Sequence, residues 1–468
     1  RFIPLKSLSL SAGLLCLVRC SDPTPPYQQQ TPPPPAADLA GVPDLAMAPP
    51  PDLLPPPIPM YLNGSFDGGS SPYRNWVSTM EFARELASKY HHPLRLTYFV
   101  TTAYYDLNIT GSAVGRALSR DEILVRWALT QQALNEGHEI ANHTVRHQDG
   151  ELWTAAQWRA ELTEYQNLVT KNLFQPVRDA RGSAVFPIWR AAPGAPAGAV
   201  GAGCTDNGQC ASKQCAMVTP TQGFCTTDCN SEVACPSGTF CGYPEQDGED
   251  LDICLPKPQF PVMYQGQELF DGNGKPNLGH PALQPYVPVG FRAPQLSTNS
   301  ELYDVLRELG YVYDASQVDA PDPPYQYKGL LEFSLMRFPD ALAIPMDYNY
   351  FYHMDLDAKT MEPDYQRSII SAYNDRNKMT WSIGHHLYNY SHGVYLEVFK
   401  RTFRFAAQGC PDEHGVRRCP DMDFPSMREL QQIYATHPLL PLAERTPPSL
   451  RSAKSLRKAD RPGCGKHK

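Results

Sequence analysis

The chain has 468 residues, room for two to three domains or for one large domain with attachments. Its 41 basic and 49 acidic residues leave a net charge of −8, which argues against nucleic acid as a partner because phosphate binding needs a basic footprint. Proline is in excess: 47 residues, about twice the usual ~5%, which argues against a helical bundle or a coiled coil.

Arg1 and Lys6 flank an apolar run from Leu8 to Val18. A charged start with a short apolar stretch reads as a secretory signal, too short to span a bilayer. Cys20 follows Leu17-Val18-Arg19, and the segment resembles a bacterial lipoprotein signal, although Arg19 departs from the usual small residue. Residues 1–20 are therefore expected to direct export. The product is expected to be a secreted protein or a cell-envelope lipoprotein on an outer-membrane lipid anchor. Residues 21–59 follow as a linker, with 15 prolines between positions 23 and 59, a composition that favours extended polyproline conformations and cannot build a core.

From residue 60 onward the pattern alternates between strands and helices. Strands are expected at 60–66 and 94–101. Between them Ser78-Thr79-Met80-Glu81 has the spacing of a capping box and predicts a helix start. Ser119-Arg120-Asp121-Glu122 predicts a second helix that stops near Gly137. Thr154-Ala155-Ala156-Gln157 predicts a third, with Trp158, Leu162, Tyr165, Val169 and Leu173 at helical spacing. Thr298-Asn299-Ser300-Glu301 predicts a fourth, ending at Gly310. Further strands are expected at 138–143, 288–292, 311–315, 341–347 and 379–385. This rhythm implies an α/β fold with a parallel sheet, open or closed into a barrel, whose active site would sit at the C-terminal strand ends.

The strand ends carry four polar segments. The first strand leads into Ser65-Phe66-Asp67-Gly68-Gly69, which on its own reads as a turn. The third leads through Gly137-His138-Glu139-Ile140-Ala141-Asn142 into His143-Thr144-Val145-Arg146-His147, whose two imidazoles stand four residues apart. The spacing from His138-Glu139 to His143 is one residue too long for the zinc-protease pattern. Arg292 lies in Gly290-Phe291-Arg292-Ala293-Pro294, and His385-His386 closes the last strand. There is neither a Gly-x-Ser-x-Gly elbow nor a phosphate-binding P-loop, so serine esterase and P-loop nucleotide hydrolase readings carry little weight.

Taken together and in this order, these segments resemble the polysaccharide deacetylases of the NodB-homology, or carbohydrate esterase 4, group. The chitin-deacetylase-like branch is suggested by the Gly-His-Glu-Ile-Ala context, by Trp153 and by Tyr313-Asp314-Ala315-Ser316. The resemblance implies a distorted (β/α) barrel of NodB type and a metal-dependent hydrolase that removes N-acetyl groups from a chitin-like or peptidoglycan-like polysaccharide. It assigns Asp67 as catalytic base, His143 and His147 as metal ligands, Arg292 as the group orienting the base, and His386 as catalytic acid, with His385 as the alternative. The metal is a divalent ion, zinc by the preference of imidazole ligands. One departure stands out: Gly68 occupies the place of the family's metal-binding second aspartate. Water, Asp149 or Asp67 itself would then complete the coordination. Gly68 also keeps open a catalytically impaired carbohydrate-binding protein of the same fold, beside a NodB-type amidase acting on a small non-sugar amide.

Within the expected catalytic domain, 60–445, an Ala/Gly/Pro-rich stretch at 191–203 leads into an insertion at 200–256. It contains Cys204, Cys210, Cys215, Cys225, Cys229, Cys235, Cys241 and Cys254. No two of these are spaced Cys-x-x-Cys, so four disulfides are expected rather than a zinc ribbon, in an oxidising compartment. Cys410 and Cys419 are expected to bridge a loop, and Cys464 lies in a basic tail, 446–468.

Overall fold

The first strand, β1 (Met60–Gly68), is buried along all nine residues, Asn63, Ser65 and Asp67 included. A parallel strand covered on both faces has no solvent side. In the computed structural model the described residues are 58–447, apart from 69–71, 117–118, 231–232, 243–250, 320–322, 338–345, 354–357, 376–379, 389 and 437–441. The export signal with Cys20, nearly all of the proline-rich linker and of the basic tail, and most of the strand expected at 341–347 lie outside them.

The helix after β1, α1 (Tyr73–Tyr90), starts well before the expected capping box. Thr79 lies inside it, and its hydroxyl donates to Asn75 O (2.7 Å) in the preceding turn. Pro72, at the N-cap, has no side chain able to cap, so the cap comes from elsewhere: Asp252 of the insertion accepts from Tyr73 N (3.1 Å) and Arg74 N (2.9 Å). Strand β2 (Thr97–Val100) follows, then α2 (Arg120–Asn135), where the Ser119/Glu122 capping box forms as expected. Gly137 (φ 86°) then takes the left-handed turn into β3 (Glu139–Asn142). The capping box also forms at α3 (Ala155–Asn172), from Thr154 and Gln157. Next come β4 (Gly290–Phe291) and α4 (Ser300–Glu308). There the cap is Asn299 rather than Thr298, and Glu301 bonds Ala155 N on α3. Strands β5 (Tyr313–Asp314), β6 (Tyr325–Tyr327) and β7 (Leu330–Glu332) precede α5 (Ala358–Asn374), β8 (Trp381–His386), α6 (Val394–Ala407), β9 (Met422–Asp423) and α7 (Met427–Thr436).

The sheet order is β6-β7-β5-β4-β3-β2-β1-β8, with β9 pairing the start of β1; every pairing is parallel except β6 with β7. The result is an α/β fold whose sheet curls into an open half-barrel, with no ladder among the described residues joining β6 to β8. The register sets Asp67 opposite His386 and Phe99, and Phe291 opposite Asn142. Aromatic packing fixes the outer layer: Phe66, Trp76, Tyr98, Phe399 and Phe403 lie in one fully buried cluster beneath α1 and α6.

The insertion is two copies of one small motif. Cys204–Cys215 and Cys210–Cys225 lock the strands 203–204, 215–216 and 223–225, and Cys229–Cys241 and Cys235–Cys254 lock 228–229, 239–241 and 252–256. In both halves the first cysteine pairs with the third and the second with the fourth. The module packs on the helices. Met217 N donates to Glu81 Oε1 (2.9 Å), Arg84 donates to Met217 O (2.8 Å), and Arg126 of α2 donates to Gly242 O (2.5 Å). Cys410 and Cys419 are bonded.

Candidate active site

Asp67 stands one residue before the end of β1. Its Oδ1 accepts from Arg292 Nη1 at 2.6 Å, and the guanidinium is fully buried. Arg292 also donates from Nη2 to Ser65 Oγ (3.0 Å) and from Nε to Ala315 O (2.9 Å), and the cation lies 4.1 Å from the centre of the Phe99 ring. A Cβ at Gly384 would approach Nη1 to 2.8 Å, so glycine makes room for the arginine between the strands. Burial is the largest influence and pushes the Asp67 carboxyl up, but Arg292, His143 and His386 together outweigh it and hold the carboxyl below the usual range. Asp67 is therefore ionised and fixed in direction.

The loop leaving β3 carries the imidazole pair. His143 Nδ1 lies 2.8 Å from Arg292 O, so that nitrogen carries the proton and Nε2 the lone pair. The His147 ring centre is 5.0 Å from that of His143. Burial lowers the pKa of His143, and burial with the neighbouring His143 and His386 pushes His147 down to about 3. Both rings are neutral, the form that binds metal. Asp149 is exposed, and its Oδ1 accepts from Glu151 N (3.0 Å) in a local turn. Gly68, in register with Val100, ends an extended strand and offers no side-chain donor atom. Among the described residues, clusters of three metal-ligating side chains occur only at disulfide-bonded cysteines, whose sulfurs are already engaged. The donor set at the sheet's end, the two neutral imidazoles of His143 and His147, has the chemistry to hold a divalent ion, whose other positions water would fill.

Strand alternation separates His385 from His386. His385 shares the face of Phe66 and is buried beneath the sheet, with Nε2 3.1 Å from Tyr365 Oη and its pKa pushed down to about 4 by burial. His386 shares the face of Asp67. Its Nδ1 lies 2.8 Å from Asp347 Oδ1, and its backbone N donates to Asp347 Oδ2 (2.9 Å). Burial is the largest influence and lowers the His386 pKa, but Asp347 and Asp67 together outweigh it and the net shift is upward. Sequence reading missed Asp347. It closes the strand expected at 341–347, and its position at a strand end was the one available signal. Two further residues missed are Tyr348 (38% exposed) and Tyr352 (58% exposed). Their rings lie 4.8 Å apart, and that of Tyr348 is 5.7 Å from the His386 ring.

Sixteen chains of solved structures match this one, three of which are described. A candidate polysaccharide deacetylase of Mycobacterium smegmatis is 13% identical, with TM-score 0.43 over 84% of this chain and 96% of that one. A candidate polysaccharide deacetylase of Pseudomonas aeruginosa PAO1 is 11% identical, with TM-score 0.40 over 81% and 92%. An allantoinase is 12% identical, with TM-score 0.40 over 81% and 91%. No curated protein matches the chain by sequence. The family model described as polysaccharide deacetylase matches residues 79–182, from α1 to just beyond α3, a stretch that includes His143 and His147. Over residues 79–182 the chain carries the sequence signature of the polysaccharide deacetylase family.

Proposed function

We propose that this protein is a metal-dependent hydrolase that removes N-acetyl groups from an amino-sugar polysaccharide, chitin-like or peptidoglycan-like. One observation carries the reading: an ionised carboxylate held by a buried arginine and an imidazole held by a buried carboxylate leave the same face of the sheet one strand apart, beside a neutral imidazole pair. His143 and His147 would hold the ion, zinc by donor preference. When bound, a divalent ion supplies a Lewis acid that polarises the acetamide carbonyl. Asp67, ionised and aimed by Arg292, takes the proton of the attacking water. His386, its pKa raised beside Asp347, gives a proton to the leaving sugar amine. Tyr348 and Tyr352 offer aromatic faces beside His386 on which the C–H face of a pyranose can pack, which supports a sugar chain over a small amide. The five disulfides among the described residues support export to an oxidising compartment. The test is acetate release from N-acetylglucosamine oligomers by zinc-supplemented protein.

Gly68 favours one second reading, a carbohydrate-binding descendant with a weakened centre. Oligomer binding without acetate release and without zinc retention would select it.

A further inference from the structure

We propose that Glu161 is the positioning residue of the His143–His147 loop, a carboxylate that sets the two imidazoles for a divalent ion by gripping the backbone between them. This rests on the metal-dependent reading above.

The loop has an unusual backbone. Thr144 (φ 64°) and His147 (φ 55°) are both left-handed, a region that non-glycine residues seldom occupy and that is strained for a β-branched side chain. Such a conformation persists only where the surroundings impose it. Several contacts pin its ends. Thr144 N donates to Asn142 Oδ1 (2.6 Å), His147 N to Thr144 Oγ1 (3.0 Å), and Thr101 Oγ1 to His143 O (3.1 Å). The middle is held from outside the loop. Glu161 Oε1 accepts from Val145 N (2.9 Å) and Arg146 N (2.6 Å), and Oε2 accepts from Arg146 Nη1 (2.7 Å). Two successive backbone N–H groups thus converge on one carboxylate oxygen, which is the way a polypeptide binds an anion.

The grip is itself fixed. Glu161 is buried on α3 between Trp158 and Tyr165, both fully buried, and Tyr165 donates to Ala141 O (2.8 Å) on the strand that leads into the loop. The helix carrying the carboxylate and the strand carrying the imidazoles are therefore tied together directly. Arg146 has a second partner, Glu164, at 2.7 and 2.8 Å. The guanidinium therefore keeps an ion pair when Glu161 is replaced, whereas the two backbone N–H groups keep none of the bonds they make to it. Unpaired, these groups would turn toward water and release the left-handed residues on either side.

The experiment measures zinc affinity of the full chain by competition with a chromophoric chelator, together with the visible spectrum of the cobalt-loaded protein. It compares wild type, Glu161→Ala, Glu161→Gln and Arg146→Gln, with folding checked by circular dichroism. We expect zinc binding at least tenfold weaker in Glu161→Ala, a smaller loss in Glu161→Gln, and an altered cobalt spectrum in both. Arg146→Gln, which leaves the backbone bonds in place, should stay within about threefold of wild type. If Glu161→Ala does not fold, Glu161→Gln decides: a loss larger than that of Arg146→Gln with an altered cobalt spectrum supports the proposal, and wild-type values overturn it. Wild-type affinity and spectrum in the folded Glu161 variants would overturn the proposal alone. A loss in Arg146→Gln equal to that in the Glu161 variants would overturn it too, by placing the effect in the guanidinium. Absence of zinc binding in wild type would overturn the metal-dependent reading and this proposal with it.

Discussion

Asp67 and His386 are register partners across the parallel strands β1 and β8, so their side chains leave the same face of the sheet one strand apart. Each is gripped by a buried group of opposite charge: Arg292 holds Asp67, and Asp347 holds His386. The two clamps act in opposite directions on protonation. Asp67 is shifted down and stays ionised further into acid, while His386 is shifted up and stays protonated further into alkali.

A pH profile follows from these shifts. Activity should be bell-shaped, with a plateau wider than unperturbed carboxyl and imidazole groups would give. Asp347→Asn removes the charge that raises His386, so the alkaline limb of kcat/KM should move to lower pH while the acid limb stays. An unmoved alkaline limb would show that another group titrates there. The same clamp bears on stability. A folded-state imidazole pKa above the unfolded value contributes stability that is complete below the unfolded pKa and lost as pH rises through the folded one.

Arg292 carries a heavier structural burden. It is fully buried and bonded to Asp67, Ser65 and Ala315 O. Arg292→Met leaves Asp67 as an uncompensated buried charge, and such losses cost roughly 3–5 kcal/mol. The expected result is a fall of that order in urea unfolding, with the Asp67 carboxyl shifted up. A loss below about 1 kcal/mol would contradict the role given to the pair.

Gly68 is extended and paired with Val100, so an aspartate there meets no left-handed strain. Gly68→Asp should fold and bind zinc more tightly than wild type, because an anionic donor joins two neutral ones. Isothermal titration with zinc decides. Equal or weaker affinity in the folded variant would show that the third position is already filled or that strand alternation turns the new carboxylate to the face of Phe66.

The disulfide pattern is a direct chemical prediction. Non-reducing peptide mapping should recover Cys204–Cys215, Cys210–Cys225, Cys229–Cys241 and Cys235–Cys254. Several cysteines of the module alkylated without reductant would contradict it.

What could be read from the sequence was local or carried by a motif. Ser119/Glu122 and Thr154/Gln157 are contacts three residues apart, and both capping boxes form. The strand ends bearing Asp67, His143, His147, Arg292 and His386 could be read as segments, and the topology brings them to one end of the sheet. What could not be read depends on distant partners. Helix α1 starts at Tyr73 rather than near Ser78 because Asp252, 179 residues away, caps it. Asp347 gave no motif, since its meaning lies in His386, 39 residues on. The choice between His385 and His386 needed the β1–β8 register, which no local spacing contains.

The central claim is that Asp67 is the base of a zinc-assisted deacetylation. The most direct measurement compares acetate release from N-acetylglucosamine oligomers by wild type and Asp67→Asn, each with its zinc content determined. The account predicts release by wild type and a fall of about 10²-fold or more in Asp67→Asn, with the zinc held by His143 and His147 largely retained. Zinc-loaded wild type that releases no acetate, or an Asp67→Asn variant as active as wild type, would contradict it.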